Sequence, residues 1–196
     1  MLRLIICIFL NFSLFSAPVF SKNVMDIISE NKNLTTFHSY LKETGLDKIL
    51  EKKLPFNWTI FAPSNNAFIK ASSKLKSEIL DNDFYSKNIF MDHIMTGHTT
   101  SLDVNEKVST QITVSNKPLQ IYKSKKLHVK DMVVIQENLI GNNGVVHTID
   151  CIMYVQPSEE DNRVSDDLAK NFPITSCCMQ SEKEIISFMN SVENRF

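Results

Sequence analysis

Asn142-Asn143-Gly144-Val145-Val146-His147-Thr148-Ile149-Asp150-Cys151-Ile152-Met153-Tyr154-Val155 is the stretch whose reading decides the fold. It opens on Asn-Gly, a pair that tolerates the positive φ of tight turns, and runs into β-branched residues, which predicts a turn feeding a strand. Side chains alternate along a strand. Val145, His147, Ile149, Cys151, Met153 and Val155 therefore share one face, and Val146, Thr148, Asp150, Ile152, Tyr154 and Gln156 the other. His147 falls in the more apolar row, where a buried imidazole needs a hydrogen-bond partner.

Upstream, Trp58-Thr59-Ile60-Phe61-Ala62 reads as a second compact strand, closed by Pro63. Ser64 is placed to cap a helix that begins at Asn65 and buries Ala67 and Phe68. Between Val24 and Leu50 the apolar residues Val24, Ile27, Ile28, Leu34, Phe37, Leu41, Leu46, Ile49 and Leu50 fall at helical spacing. Gly45 is positioned to stop a helix in the left-handed conformation. Ser72 to Leu80 carries a short amphipathic pattern, and Asp83 to Met95 predicts a helix burying Phe84, Ile89, Phe90, Ile94 and Met95 and ending at Gly97. Beyond Gly97 the period becomes two. Val108, Thr110, Ile112 and Val114 alternate with polar neighbours, Ser115 to Pro118 turns the chain, Leu119 to Tyr122 returns, and Leu127 to Lys130 and Met132 to Ile135 continue. Helices followed by a β meander indicate an α+β domain.

A chain of 196 residues, 43% hydrophobic and 22% charged, can bury one substantial core. The net charge is -1 and no continuous basic track exists, which argues against a nucleic-acid partner. Lys52-Lys53 and the group Lys123, Lys125 and Lys126 read as solvated turn charges. At the amino terminus Arg3 precedes an apolar run from Leu4 to Phe15, then Ser16-Ala17-Pro18-Val19-Phe20-Ser21. The run is shorter than the roughly 20 residues of a membrane span, and Val19 and Ser21 suit signal cleavage before Lys22. The expected organisation is a signal peptide over 1–21, one domain over 22–156, and a carboxyl-terminal extension over 157–196. The extension opens on the polar breaker Pro157 to Asn162 and holds one helical candidate, Glu182 to Val192. The mature chain is then expected to lack a membrane span and to be secreted, periplasmic or at the cell surface. Without Cys7 it retains Cys151, Cys177 and Cys178. Adjacent cysteines bridge each other only with strain, so an internal bridge would join Cys151 to Cys177 or to Cys178 and leave a free or dimer-forming thiol.

Two blocks now carry a resemblance. Thr59-Ile60-Phe61-Ala62-Pro63-Ser64-Asn65-Asn66-Ala67-Phe68 resembles the first signature of fasciclin-like (FAS1) domains, Thr-Val-Phe-Ala-Pro-Thr-Asn/Asp-x-Ala-Phe. Asn143-Gly144-Val145-Val146-His147-Thr148-Ile149-Asp150 resembles the second, Asn-Gly-Val-Ile-His-x-Ile-Asp. Between them, Phe90 to Gly97 is similar to the segment Leu-x-Tyr-His-Val-x-x-Gly, and Thr44 to Leu50 to the early Ala-Gly-Leu helix. The resemblance spans about residues 23 to 156. It implies a β wedge or sandwich covered by several short helices, an extracellular or periplasmic setting, and an adhesion or interaction module without general catalytic activity. Its partner would be a protein or glycan of a cell surface or matrix. In animal members an Asp-Ile pair before the second block and a Tyr-His pair in the middle segment are implicated in integrin binding. The matching positions here are Asn138-Leu139 and Asp92-His93, which makes these four the candidate partner-binding residues. Without the Asp, the carboxylate that a receptor cation would coordinate is missing.

Catalytic readings fare worse. Cys151 and His147 share a strand face four residues apart, so their α-carbons lie about 13 Å apart, too far for a thiolate–imidazole pair. His93 and His98 with Asp92 lack metal-ligand spacing, Cys177-Cys178 lacks the gap of a zinc-chelating loop, and no Gly-rich phosphate loop occurs. No cofactor and no enzymatic activity are expected. The alternative is a small-ligand or enzymatic pocket near His93 and His147. His147 itself reads as a core histidine flanked by Asn143 and Asp150.

Overall fold

Asn23 starts the chain's first helix. Its side chain accepts from the backbone N–H groups of Met25 and Asp26, and Asp26 accepts from the Asn23 N–H, a reciprocal cap on α1 (Val24–Glu30). The computed structural model describes residues 21–154, 178–179 and 181–193. The expected signal segment, apart from Ser21, and the breaker Pro157 to Asn162 lie outside the described residues. Helix α2 (Thr35–Glu43) is preceded by Leu34, which has no side chain able to cap it; Asn65 reaches across and accepts from the Thr36 N–H at 3.0 Å. The chain leaves α2 through Gly45 at φ 70°, the left-handed stop that its position predicts. After α3 (Asp47–Leu50), β1 (Trp58–Pro63) feeds directly into α4 (Asn65–Lys70), whose cap is Ser64 Oγ accepting from the Ala67 N–H. A short α5 (Ser73–Leu75) continues into a π-helical turn, Lys76–Leu80, and α6 (Asp83–Met91) starts on the Asn82 side chain.

Helix α6 ends earlier than its apolar spacing predicts. Ile94 and Met95 leave it to form β2 (Ile94–Thr96), which pairs antiparallel with β1. The meander follows as β3 (Ser109–Ile112), β4 (Pro118–Lys123), β5 (Leu127–Val129) and β6 (Met132–Val133), and then comes the hairpin of β7 (Gln136–Gly141) and β8 (Gly144–Ile149). One sheet has the order β2-β1-β8-β7 and the other β3-β4-β5-β6. At the centre of the first, β1 and β8 run parallel, Trp58 opposite Gly144 and Pro63 opposite Ile149.

All six residues of both central strands are buried. A parallel pair is covered on both faces, so the single apolar row expected for the deciding strand becomes two. Ile60, Val146, Ile152 and Tyr154 pack with Phe37, Phe68, Ile89 and Phe90 under the helices, while Phe61, Ile149 and Met153 meet Leu119, Ile121, Leu127 and Val129 between the sheets. The result is a helical layer, a mixed sheet and a meander, the α+β arrangement expected. The Asn-Gly turn is made without positive φ. Gly144 is needed instead for closeness: a Cβ there would lie 2.3 Å from the Trp58 carbonyl oxygen.

Strand β3 departs from its expected pattern. Ile112 is 54% exposed and Val114 faces outward, whereas the intervening Thr113, Ser115 and Lys117 are buried. The reason is a buried carboxylate, Asp92, which draws the polar row inward. Past Met153 the extension folds back. Cys178 is bridged to Cys151 and bridges Met153 as a short antiparallel contact, and α7 (Glu182–Glu193) lays Ile185, Phe188 and Val192 into the helical layer. Lys74 with Glu182 and the Tyr85 hydroxyl with Glu193 fasten its two ends. Closing the 27-residue separation contributes about 3–4 kcal/mol by constraining the unfolded chain. The thiol-linked dimer expected from the tail thus loses Cys178 to an internal bridge, and Cys177 lies outside the described residues.

Candidate interaction surface

His147 has no exposed surface. The Asn138 backbone N–H donates to its Nδ1 at 3.3 Å, so the ring proton sits on Nε2, which donates to the Thr99 carbonyl at 2.9 Å. Its ring stacks on Phe61 with centroids 5.4 Å apart. Burial lowers its pKa, against the opposing pull of the Thr99 carbonyl and the Glu137 charge. His93 repeats the scheme in the helical layer. The Met153 N–H donates to Nε2 at 2.9 Å, Nδ1–H donates to the Ile89 carbonyl at 2.8 Å, and the ring lies among Phe37 and Phe90. Burial pushes its pKa down to about 4. Both imidazoles are neutral, and both ring nitrogens of each are used by the backbone.

The remaining signature side chains are spent on the fold as well. Thr59 donates to the Gly97 carbonyl at 2.8 Å and accepts from the Thr99 N–H at 3.0 Å, so Thr59 and His147 grip the same peptide segment. Asn143 accepts from the Val24 N–H at 2.9 Å and donates to the Leu50 carbonyl at 2.7 Å, tying the start of α1 to the end of α3. Asp150 accepts from Ser64 at 2.7 Å, from Asn66 at 3.0 Å and from Lys70 at 2.6 Å. Partial burial would raise its pKa, but these bonds, Lys70 first, hold it below the usual carboxylate range. Asn65 donates to the Lys32 carbonyl, and Phe61, Ala62, Pro63, Ala67 and Phe68 are buried. The two signature blocks are thereby brought together at Ser64–Asp150.

The four candidate partner-binding residues are placed as follows. Asp92 is fully buried, paired with Lys117 Nζ at 2.9 Å and with the Ser115 hydroxyl; Lys117 also lies 5.1 Å from the Phe188 ring centre. His93 beside it is fully buried. Asn138 sits at φ 60° in an irregular part of β7 and holds Ser101 through both ends of its amide, at 2.8 and 2.7 Å. Leu139 is partly buried against the helical core. Lys117 and Ser115 carried no local sequence signal, because their partner Asp92 lies more than twenty residues away in the chain; Thr113 bonds to Ser115 and to the Lys117 backbone.

Cavities open to solvent occur among the described residues. One, of about 180 Å³, is lined by Ala67, Lys70, Asp150, Cys151, Cys178 and Met179 among others; another, of about 200 Å³, by Asn23, Glu51, Lys53, Asn142 and Asn143. Neither is lined by His93 or His147. The described residues hold no group of three His, Cys, Asp or Glu side chains able to bind a metal, and no described helix is long and apolar enough to cross a membrane.

What faces outward is the far side of the meander. Opposite the buried row Leu119, Ile121, Leu127 and Val129, the alternation turns Ile112, Tyr122, His128 and Val133 to the outside. Ile112 and Val133 are well exposed, and the Tyr122 and His128 rings stack across the strands with centroids 4.7 Å apart. His128 Nδ1 pairs with the Lys126 carbonyl, and Lys125 and Lys126 stand exposed at the hairpin beside the pair. Exposed Ile135 continues this apolar border, and Leu102 and Ile140 are also exposed, on either side of the Ser101–Asn138 contact.

Comparison with known proteins agrees with this architecture. An uncharacterized protein of Synechocystis sp. (sll1735) is 26% identical over 131 residues, covering 67% of this chain and 96% of that protein. Human periostin is 27% identical over 139 residues, covering 68% of this chain but 16% of periostin. The pig transforming growth factor-beta-induced protein ig-h3 is 24% identical, with 74% of this chain and 21% of that protein covered. Among solved structures, a FAS1 domain pair from the insect cell adhesion molecule Fasciclin I superposes with a TM-score of 0.50 at 23% identity, over 70% of this chain and 52% of that one. The model of the Fasciclin domain matches residues 32–155, and the chain belongs to the fasciclin domain family.

Proposed function

We propose that the chain is a non-enzymatic adhesion module, exported by its amino-terminal segment, that binds a protein or glycan of a cell surface or matrix through the outer face of the meander. The single observation that carries this reading is how the side chains are used: the polar signature side chains bond within the chain, while Ile112, Tyr122, His128 and Val133 stand unburied. Exposed apolar area bordered by polar groups is a mark of interaction surfaces. The kinship with a structure from a cell adhesion molecule supports the class of function, and the saturated histidines speak against a pocket chemistry.

The test is binding of the purified chain to intact cells and to matrix preparations, with Ile112→Asp/Val133→Asp as the comparison. A loss of about tenfold or more in binding with an unchanged melting temperature supports the face. Equal binding by wild type and variant places the contact elsewhere. Surface labelling of intact cells tests the location, and material confined to the cytoplasm refutes export.

A further inference from the structure

We propose that the Cys151–Cys178 bridge is a site of thiol–disulfide exchange with an external dithiol, and that opening it releases α7 from the helical layer. Both cysteines are half-buried, and both line the open cavity of about 180 Å³ that also holds Ala67, Lys70, Asp150 and Met179. A bridge reached from solvent reacts, whereas one sealed in a core does not. On the same wall the Lys70 ammonium lies 2.6 Å from the Asp150 carboxylate, so an approaching thiolate meets a neutralised pair and not a bare anion.

In the exchange, a thiolate of the dithiol attacks Cys178 Sγ, a mixed disulfide forms, and the bond to Cys151 Sγ breaks with Cys151 leaving as a thiolate that takes up a proton. The second thiol of the dithiol then displaces Cys178. The chain gains two electrons and two protons, and the dithiol is oxidised to its disulfide.

The consequence falls on the extension. Besides the bridge, the backbone near Cys178 meets the domain body through the pairing with Met153 and the Met179 N–H to the Ile152 carbonyl at 3.3 Å, and the Met179 side chain is buried in the helical core. The helix itself has 12 residues, a length at which an isolated helix is marginal in water, and its end contacts through Glu182 and Glu193 are exposed or partly so. Ile185, Phe188 and Val192 hold its apolar face, with Met189 partly buried beside them and Glu184 buried at its first turn. Without the covalent tie, those groups must offset the ordering of α7 alone. Releasing α7 takes Phe188 off Lys117 and opens the buried Asp92–Lys117 pair to water. The family-matched part ends at residue 155, ahead of everything released.

Hydrogen exchange read by mass spectrometry on the full chain, in native buffer with and without dithiothreitol, tests this. Dithiothreitol is expected to reduce the bridge without denaturant and to lower protection at least tenfold in residues 182–193, with β1 and β8 unchanged; the Cys151→Ser/Cys178→Ser variant is expected to match the reduced protein. A bridge that resists dithiothreitol until the chain is denatured overturns the exchange site. Reduction that leaves residues 182–193 as protected as before overturns the release, and so does loss of protection spread evenly over β1, β8 and α7. Reduced wild type decides the matter even if the variant fails to fold.

Discussion

At the scale of single residues, the side chains that identify the family are the ones that knit distant backbone together. His147 serves Asn138 and Thr99 at once, so its removal leaves a partly buried N–H and a partly buried carbonyl without their partner. His147→Ala is expected to lower stability by about 1–3 kcal/mol, read as a fall in the urea midpoint, while binding by the folded protein persists. Gly144→Ala is more severe, since the new Cβ would meet Trp58 backbone, which cannot swing away as a side chain can; a loss above about 2 kcal/mol is expected. The pH dependence follows from His93. Its folded pKa of about 4 lies below the unfolded value near 6.5, so the unfolded chain binds more protons between the two. Stability therefore falls as pH drops through that window, by roughly 3 kcal/mol for this group. The depressed Asp150 adds a loss at lower pH still. Urea titrations at pH 7, 6, 5 and 4.5 check this: His93→Gln should show a shallower decline than wild type, and equal slopes would refute the assignment.

At the scale of elements, the strand-turn-helix from Trp58 to Lys70 and the strand from Gly144 were legible because their chemistry is local. Ser64 caps the helix it precedes, and Gly45 ends the helix before it. The inward side of β3 was not legible. A row of Thr, Ser and Lys reads as solvent-facing unless the carboxylate that receives it is known, and Asp92 sits on the other side of a helix end, far back in the chain. Likewise, Ile94 and Met95 satisfied helical spacing, yet pairing with β1 used them better as strand. The polar cluster carries its own prediction. Lys117→Met strips the ammonium from a buried carboxylate and should cost about 3–5 kcal/mol, whereas the double change Asp92→Leu/Lys117→Met should cost less than that single change. A double-mutant cycle of urea midpoints measures the difference, and strict additivity would show the pair to be uncoupled.

At the scale of the whole molecule, the helical layer and the meander share one central sheet but answer to different demands. The helical side is sealed by α7, and the meander leaves Ile112 and Val133 of its outer row exposed while Gln120 in that row is buried. Changes on that row, such as Ile112→Asp, are expected to move stability by less than about 0.5 kcal/mol, as surface changes usually do, so any fall in binding by such a variant reflects contact and not unfolding. The central pairing has one more effect. Ser64 at the end of β1 waits for Asp150, 86 residues further on. A ribosome that has delivered β1, β2, every helix of the first half and the meander has still not delivered β8, the parallel neighbour on the other side of β1. Until then one edge of β1 stays unpaired, so the fold closes late and slowly for its size. Under the export proposed above, a central sheet completed only by β8 keeps the chain threadable through a translocation channel until that strand has emerged.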